Sequence, residues 1–480
     1  MHMIIGRKDE IAQLNRLYNS GKAEFVAVYG RRRIGKTFLV DETFKGRITF
    51  RHAGLSPLED GGRKDGFLKK QLKHFYNSLL LQGMPRSRQP QSWLDAFFLL
   101  EQYLQSIDDG SRQLLFLDEL PWLDTQRSGF ITALEAFWNS WGCHRDNLMV
   151  VVCGSANSWI LDKLINNHGG LYNRITYEIK LTPFSLQECR TFFKANNILL
   201  SKYDIAQSYM ILGGIPYYLG YFEPGKSLAQ NIDNLFFAPN AKLRDEFTRL
   251  FASIFSNPIE LKNIVMALSG KNRGLTRQEL IETIGVSNGG TLSQNLRALL
   301  ASDFIIKYVP FGESKKNVHY KLVDAFCMFF LKFVDKYNAL NESFWLDNIT
   351  SPQIVIWRGF AFENLCFQHI KQIKAALGIA GVSSSQSSWT KHASDTGTQI
   401  DMLIERKDNV INLCEMKFYS GEFIVNKDYY KNMLNKQTLL AEGISSKMAI
   451  HNTLITTYGL QYNEYSSIFV NVLTLENLFC

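Results

Sequence analysis

The sequence predicts an α/β fold with more than one domain, beginning with a parallel sheet. Apolar runs at residues 25–29, 114–117 and 148–153 lack the polar alternation of half-exposed strands, which is typical of strands buried on both faces of a parallel sheet. A glycine-containing loop connects the first run to a helical pattern. The chain has 480 residues, more than one hydrophobic core usually holds, so we expect about two to four domains.

The composition is that of an ordinary globular protein. Hydrophobic residues make up 46% of the chain and charged residues 20%, which excludes a largely disordered protein. The net charge of +8 is mildly basic, so it is compatible with a nucleic-acid partner without requiring one.

The cysteines and the apolar runs predict a cytoplasmic protein with no membrane partner. The seven cysteines show no C-x-x-C spacing, which indicates buried thiols of a reducing compartment rather than disulfides or a zinc site. The N-terminus lacks a basic stretch followed by an apolar core, and the apolar runs at 148–153 and 326–334 are far shorter than a bilayer span.

The loop after the first apolar run fits the pattern G-x-x-x-x-G-K-[ST]. Its residues are Gly30, Arg31, Arg32, Arg33, Ile34, Gly35, Lys36 and Thr37. Such a loop closes backbone N–H groups around a phosphate, and the helix that follows adds its positive dipole. Lys36 would then reach the β- and γ-phosphates and the Thr37 hydroxyl would ligate Mg²⁺. The sequence therefore predicts an ATP site with magnesium. The three arginines could supplement Lys36 at the phosphates or face outward toward nucleic acid.

Polar residues follow the next two apolar runs, at the edge of the sheet where ligands bind. Asp118 could hold Mg²⁺ through water, while Glu119 orients and deprotonates the attacking water. Ser155 could contact the γ-phosphate or be an ordinary turn serine. Arg174 could stabilise charge on the transferred phosphate, in its own subunit or in a neighbour, or be a surface arginine.

These residues resemble the archaeal-type ATPase branch of the AAA/STAND P-loop proteins, over residues 5 to about 250. The shared motifs are G-R-x-x-E at 6–10, the P-loop at 30–37, Leu-Asp-Glu at 117–119, Gly-Ser at 154–155, Arg174 before Pro-Phe-Ser at 183–185, and Gly-Gly-Ile-Pro at 213–216. The resemblance implies an ATPase core at 1–180 and a helical lid at 181–250. It also implies that Glu119 is the catalytic base, Ser155 the sensor and Arg174 an arginine finger, so a homo-oligomer is among the expected partners. The family usually has a glycine before this arginine, where the present chain has Asn173.

Residues 251–335 are predicted to form a winged helix–turn–helix domain. Thr276 and Glu279 fit a capping box before an apolar helix, a second helix follows at 291–300, and the runs at 304–309 and 318–322 flank a polar turn. The segment 242–321 holds twelve Lys or Arg residues against seven Asp or Glu. The candidate DNA contacts are Ser293, Gln294, Arg297, Lys315 and Lys316. The alternative is a domain that bridges other domains or binds protein.

The last third of the chain carries two acids and a lysine on a predicted hairpin. Side chains two apart share a strand face, so Glu415 and Lys417 point the same way, beside Asp401 if the runs at 399–404 and 410–418 pair. Such a group could hold a divalent metal that activates water for phosphodiester cleavage, with Lys417 orienting the water or holding the phosphate. The alternative is a cross-strand cluster of salt bridges.

A helical pattern from residue 352 contributes a further acid. It places Ile356, Phe360, Glu363, Phe367 and Ile370 on one stripe. A glutamate on a core-facing stripe is costly unless it is paired or binds a metal. The alternative is a residue at the edge of the stripe whose carboxylate reaches water.

The set Glu363, Asp401, Glu415 and Lys417 resembles the PD-(D/E)xK restriction-endonuclease-like nucleases, over about 352–447. It looks like the nuclease-like domain that often follows archaeal-type ATPases, with Trp389 at the position of an aromatic residue before the catalytic Asp. The resemblance implies a nuclease-like domain at 350–480 in which all four residues are catalytic and the three acids bind Mg²⁺.

Together these patterns predict a P-loop NTPase sheet with a helical lid, a winged helix and a C-terminal α/β nuclease-like domain. The expected function is that of an ATP-hydrolysing switch protein whose C-terminal domain cleaves nucleic acid, DNA in particular, with Mg²⁺. The rival interpretation is a nucleotide-controlled DNA- or protein-binding regulator whose nuclease fold does not cleave.

Overall fold

The computed structural model describes residues 4–56, 66–125, 127–155, 159–165, 173–255, 258–336, 341–391 and 398–480. The chain divides into two compact units. The first consists of residues 1–183, 250–258 and 293–303, and the second of residues 184–249, 259–292 and 304–480.

A five-stranded parallel sheet forms the centre of the first unit. Its strands are β1 (Glu24–Gly30), β2 (Phe50–Ala53), β3 (Gln113–Asp118), β4 (Leu148–Ser155) and β5 (Tyr177–Leu181), in the order β2-β3-β4-β1-β5. Every residue of β3 and β4 is buried, because helices cover both faces of a parallel sheet. The predicted α/β class with a parallel sheet is thus confirmed for this part of the chain.

The helices of the first unit pack an aromatic core against this sheet. They are α1 (Lys8–Tyr18), α2 (Lys36–Thr43), α3 (Phe67–Leu81), α4 (Trp93–Ser106), α5 (Leu120–Leu123) and α6 (Phe130–Ser140). The core includes Phe75, Trp93, Phe97 and Phe130, whose rings lie in tilted or edge-on contacts. Ser92 and Asp95 form a capping box that begins α4.

Most of the helices after β5 belong to the second unit, although the residues of α11, α12 and α14 that fall within 250–258 and 293–303 belong to the first. The helices after β5 are α7 (Leu186–Ala195), α8 (Lys202–Leu212), α9 (Pro216–Leu219), α10 (Leu228–Phe236), α11 (Glu246–Ile254), α12 (Pro258–Ser269), α13 (Arg277–Ile284), α14 (Gly290–Ala301), α15 (Ala325–Phe329), α16 (Phe344–Asn348), α17 (Pro352–Gln368), α18 (Ile370–Ala376) and α19 (Lys427–Ala441). None of the helices in the described parts of the chain is long and apolar enough to cross a membrane.

The segment predicted to be a winged helix contains the helices α13 and α14 and three short strands, and the winged-helix assignment itself stays a prediction. Thr276 and Glu279 form the predicted capping box of α13, and α14 covers the predicted second helix. The antiparallel strands β6 (Leu275–Thr276), β7 (Ile305–Tyr308) and β8 (His319–Leu322) pair in the order β6-β8-β7. The role of this segment as a DNA-binding domain stays a prediction.

The C-terminal sheet is mixed rather than parallel. Its strands are β9 (Ser384–Lys391), β10 (Thr398–Arg406), β11 (Val410–Lys417), β13 (Ala449–Thr456) and β15 (Asn471–Leu473), in the order β15-β13-β11-β10-β9, while β12 (Phe423–Ile424) pairs with β14 (Leu460–Gln461). The predicted hairpin is the antiparallel pair β10–β11, whereas β13 and β15 run parallel to β11.

The predicted apolar stripe on α17 is wrong. Ile356 is 61% exposed and Phe360 is 41% exposed, whereas Ile354, Trp357 and Leu365 are buried. Apolar residues occupy several faces of this helix, so a period of 3.6 fits more than one stripe. The face that packs was therefore not determined by periodicity, although Glu363 is still partly buried.

Candidate functional site

The phosphate-binding loop lies between the end of β1 and the start of α2. A Cβ atom on Gly30 would lie 2.4 Å from the Leu181 carbonyl oxygen and 2.6 Å from the Ile34 Cδ1 atom, so only glycine fits there. Gly35 has a φ of 88° and directly precedes α2, a left-handed conformation that other residues rarely adopt. Both glycines of the motif are therefore required by the backbone path.

Lys36 bridges the backbone of this loop. Its Nζ atom donates to the carbonyl oxygens of Gly30, at 3.3 Å, and of Arg31, at 3.1 Å. Burial lowers the pKa of the Lys36 ammonium, and the nearby carboxylates of Glu119 and Asp118 oppose that shift. A buried ammonium among acids can hold phosphate charge without being hydrated.

The three loop arginines differ in their surroundings. Arg31 is only 2% exposed, so it does not face outward toward nucleic acid. The Arg32 guanidinium lies 5.6 Å from the centre of the Trp122 ring and donates to the Ser253 carbonyl oxygen at 3.4 Å. Arg33 has a φ of 72°, which adds a second left-handed residue to the loop.

Asp118 connects the end of β3 with the loop. The Thr37 hydroxyl donates to Asp118 Oδ2 at 2.8 Å, and the Glu119 N–H donates to Asp118 Oδ1 at 2.9 Å. A hydroxyl and a carboxylate are the oxygen donors that Mg²⁺ prefers, so this pair fits the magnesium ion that accompanies ATP. Burial raises the pKa of the Glu119 carboxyl, with Lys36 opposing the shift.

Ser155 lies beside the loop because β4 pairs with β1 in a register that sets it opposite Gly30. The side chain is 6% exposed, and its Oγ atom has no hydrogen-bond partner among the described residues. A Cβ atom on Gly154 would lie 2.8 Å from Pro121 Cδ, so glycine lets β4 approach the turn after Glu119. An unpaired buried hydroxyl at this edge suits contact with a ligand.

The structure explains the backbone conformation next to Arg174 and in the Gly-Gly-Ile-Pro motif, but it assigns no role to the Arg174 side chain. Arg174 is exposed and has no hydrogen bond or ion pair within the described ranges, so its role as a finger stays a prediction. Asn173 has a φ of 53°, a conformation that glycine favours and asparagine tolerates. Gly213 ends α8 with a φ of 72°, and the Gly214 carbonyl accepts from the Phe184 N–H at 2.9 Å.

The structure brings the predicted C-terminal acids and lysine together in the second unit. The register of β10 and β11 pairs Met402 with Cys414, which puts Asp401 across from Glu415. Lys417 Nζ lies 3.4 Å from Glu415 Oε2 and 3.8 Å from Asp401 Oδ2. The resulting group of charges, with Glu363, is called the acid cluster below.

Glu363 joins the acid cluster from α17. Burial raises its pKa to about 8, and the neighbouring Asp401 carboxylate adds to the shift, while Lys321 and Lys417 oppose it. Burial lowers the pKa of Lys321 on β8, against the opposing effect of Glu363 and Asp401. Lys321 was missed from the sequence because β8 is distant in the chain from both strands of the hairpin.

Two more residues of the acid cluster come from α19. Lys436 Nζ lies 2.6 Å from Glu415 Oε1, and the Tyr429 hydroxyl donates to Glu415 Oε2 at 3.0 Å. The only sequence signal for them is their spacing with the buried Met433 and Leu440, which sets all four on one helix face.

The acids of the cluster do not form a ready metal site. Within the described ranges, no three His, Cys, Asp or Glu side chains are grouped so that they could hold a metal ion. Both Glu415 oxygens already have partners, and Asp401 Oδ2 accepts from the Met416 N–H at 3.0 Å. A magnesium ion does not fit this arrangement without a change of partners.

The parallel sheet, the phosphate-binding loop and the acid pair define the first unit as a P-loop ATPase domain. Residues 4–222 match the model of a family described as an ATPase domain predominantly from Archaea. The match supports an archaeal-type ATPase domain over these residues. It ends before the acid cluster, so the nuclease-like assignment stays a prediction.

Relatives in sequence come from Methanocaldococcus jannaschii. An uncharacterized protein of this archaeon is 24% identical over 447 residues, which is 91% of the present chain and 92% of the relative. An uncharacterized ATP-binding protein of the same organism is 47% identical over 38 residues, which is 8% of the present chain and 64% of that relative.

Similar solved structures include two archaeal proteins. The Walker-type ATPase paby2304 of Pyrococcus abyssi is 17% identical with a TM-score of 0.47, covering 69% of the present chain and 96% of its own. The ORC2 protein of Aeropyrum pernix, in its ADPNP-ADP complexes, is 14% identical with a TM-score of 0.42, covering 70% and 95%.

Proposed function

We propose that the first unit hydrolyses Mg·ATP with Glu119 as the general base. The observation that carries this proposal is the 2.8 Å contact between Thr37 and Asp118, which joins the phosphate-binding loop to the end of β3, directly before Glu119. The ATPase-domain match over residues 4–222 supports the reaction class.

Each residue has a distinct part in the proposed reaction. The loop amides and Lys36 hold the phosphates, and bound Mg²⁺ would neutralise phosphate charge beside Thr37 and Asp118. Glu119 accepts a proton from a water whose oxygen attacks the γ-phosphorus, while the bond to the bridging oxygen breaks and ADP leaves. A buried carboxyl with a raised pKa is a stronger base than an exposed one, which favours Glu119 for this step. Ser155 orients the γ-phosphate.

The Thr37 hydroxyl provides the test of the metal part of this proposal. In Thr37→Ala, the Mg²⁺ concentration needed for half-maximal ATP turnover should rise roughly tenfold or more, because an oxygen donor beside the ion is lost. Thr37→Ser keeps the hydroxyl and should behave like the wild type. An unchanged Mg²⁺ dependence in the alanine variant would contradict the assignment.

We also propose that the acid cluster cleaves nucleic acid, DNA in particular. This second function is favoured by the convergence of Asp401, Glu415 and Lys417 from two strands, with Glu363 from α17. The rival interpretation, a regulator that binds without cleaving, is favoured by the lysine ammonium groups that pair with the acids.

Cleavage of labelled DNA by the full chain distinguishes these two functions. With Mg²⁺ or Mn²⁺ and ATP, the wild type should cut and Asp401→Asn should lose nearly all cleavage. Asp408→Asn is the matched control, because Asp408 is an exposed acid in the turn of the same hairpin. DNA binding without cleavage, or cleavage that survives Asp401→Asn, would favour the rival.

A further inference from the structure

Glu415 is the most enclosed acid of the cluster, and α19 supplies partners to both of its oxygens. The carboxylate is 1% exposed, with Lys436 at 2.6 Å from Oε1 and the Tyr429 hydroxyl at 3.0 Å from Oε2. A buried carboxylate needs such partners, because leaving water without them is costly.

The core packing of α19 fixes these partners in place. Met433 and Leu440 are fully buried in the core that includes Leu413 and Leu454 of the C-terminal sheet. Lys436 is three residues after Met433 and four before Leu440, so it faces the sheet with them. Its side chain is 13% exposed, which indicates a fixed neighbour of Glu415 rather than a solvated lysine.

A divalent ion at the acid cluster would need the same oxygens. Mg²⁺ and Mn²⁺ bind carboxylate oxygens directly, and an ammonium 2.6 Å from Oε1 occupies the position of such an ion and repels its charge. We propose that Lys436 is a resident counter-ion that competes with the divalent metal for Glu415 and so sets the metal affinity of the acid cluster. The inference rests on the proposed nuclease site.

Removal of Lys436 should therefore tighten metal binding. Glu415 keeps Tyr429 and Lys417 as partners, so Lys436→Met is expected to fold. The released Oε1 atom and the lost positive charge should together raise the affinity for Mn²⁺ at least roughly tenfold. Lys436→Gln removes the charge but keeps an N–H donor, and it serves as the second variant should the methionine variant not fold.

The experiment is a titration of the nucleotide-free full chain with Mn²⁺, followed by the electron paramagnetic resonance signal of the free ion. Glu415→Gln identifies the binding that belongs to the acid cluster. Lys436→Arg keeps the positive charge and should match the wild type. Lys431→Met is the matched control, since it removes one lysine charge from an exposed position on the same helix and should leave the affinity unchanged.

The possible outcomes distinguish a failure of the inference about Lys436 from a failure of the proposed nuclease function. Binding of Mn²⁺ that Glu415→Gln abolishes, and that Lys436→Met and Lys436→Gln leave unchanged or weaken, overturns the inference alone. Tightening in Lys431→Met equal to that in Lys436→Met also overturns it, because the effect would then be one of net charge. Absence of any Mn²⁺ binding through Glu415 in all variants overturns the inference together with the metal-dependent nuclease.

Discussion

Glu119 holds a backbone conformation that few residues other than glycine adopt. Its φ of 47° and ψ of 49° lie in the left-handed region, directly after the buried strand β3. Such a conformation costs about 1–2 kcal/mol for a residue with a Cβ atom, so it persists only where the surroundings impose it. The strained turn aims the carboxyl toward the loop, where burial raises its pKa.

His369 is a buried imidazole that the structure holds in its neutral form. Its Nε2 atom accepts from the Leu186 N–H at 3.2 Å, while Nδ1 faces the Leu365 carbonyl oxygen at 2.9 Å, so Nδ1 carries the proton. Burial lowers the pKa of His369 to about 4, well below the ordinary value of about 6.5.

This burial predicts a pH dependence of stability. The unfolded chain binds a proton at His369 as the pH falls through about 6.5, whereas the folded chain binds it only near 4, so stability falls with pH across that window. The loss should reach roughly 3 kcal/mol in the free energy of unfolding. Denaturant titrations from pH 7 to 4 should show a shallower loss in His369→Gln than in the wild type. Equal slopes would contradict the neutral assignment.

At the scale of elements, the Gly-Gly-Ile-Pro motif has a steric explanation. Gly214 has a φ of 65°, and a Cβ atom there would lie 2.5 Å from the Phe184 carbonyl oxygen and 2.6 Å from a Tyr209 ring carbon. Gly213 has a φ of 72°, but the nearest atom to its Cβ would be Ala325 Cβ at 3.5 Å. The first glycine ends α8, and the second lets the chain pass close to the start of α7.

These neighbouring glycines form a matched pair for mutation. Gly213→Ala should cost only about 1–2 kcal/mol of stability, the cost of the left-handed conformation. Gly214→Ala should cost clearly more, roughly 3 kcal/mol or above, because the backbone oxygen of Phe184 cannot move aside cheaply. Urea unfolding followed by circular dichroism measures both changes. Equal losses in the two variants would refute the steric account.

The strands β1, β3 and β4 of the first unit could be predicted from sequence, but the short strands β2 and β5 and the packing of α17 and α19 could not. Strands buried on both faces are uninterrupted apolar runs, so β3 and β4 are visible locally. The phosphate-binding loop can likewise be recognised from sequence, because its residues have a characteristic spacing. Lys321 and Lys436 reach the acid cluster through tertiary packing. No local sequence pattern indicates which charged residues will be neighbours in the folded chain.

The hairpin β7–β8 packs against another part of the chain, unlike a wing that projects outward. The Phe311 N–H donates to the Ser388 carbonyl oxygen of β9 at 3.1 Å, and the Phe311 side chain packs against the core of the C-terminal sheet. Lys315 and Lys316 remain exposed at the turn. The hairpin is therefore joined to the sheet that carries Asp401, a contact that sequence spacing did not indicate.

At the scale of the whole molecule, one chain carries both the proposed ATPase site and the acid cluster. The relative that aligns with 91% of the present chain carries the similarity beyond the ATPase domain and into the C-terminal sheet. We propose that ATP hydrolysis in the first unit times the action of the second. Domain order motivates this coupling, and it depends first on hydrolysis at the P-loop site.

The proposed ATP hydrolysis at the P-loop site is tested by measuring phosphate release from Mg·ATP by the full chain. The wild type is compared with Glu119→Gln. The variant should bind ATP with an unchanged Kd and hydrolyse it at least about 100-fold more slowly, because the amide cannot accept the proton of the attacking water. Glu101→Gln on α4, a helix that contributes no residue to the site, is the control and should hydrolyse like the wild type. Turnover in Glu119→Gln equal to that of the wild type would contradict the proposed ATPase site.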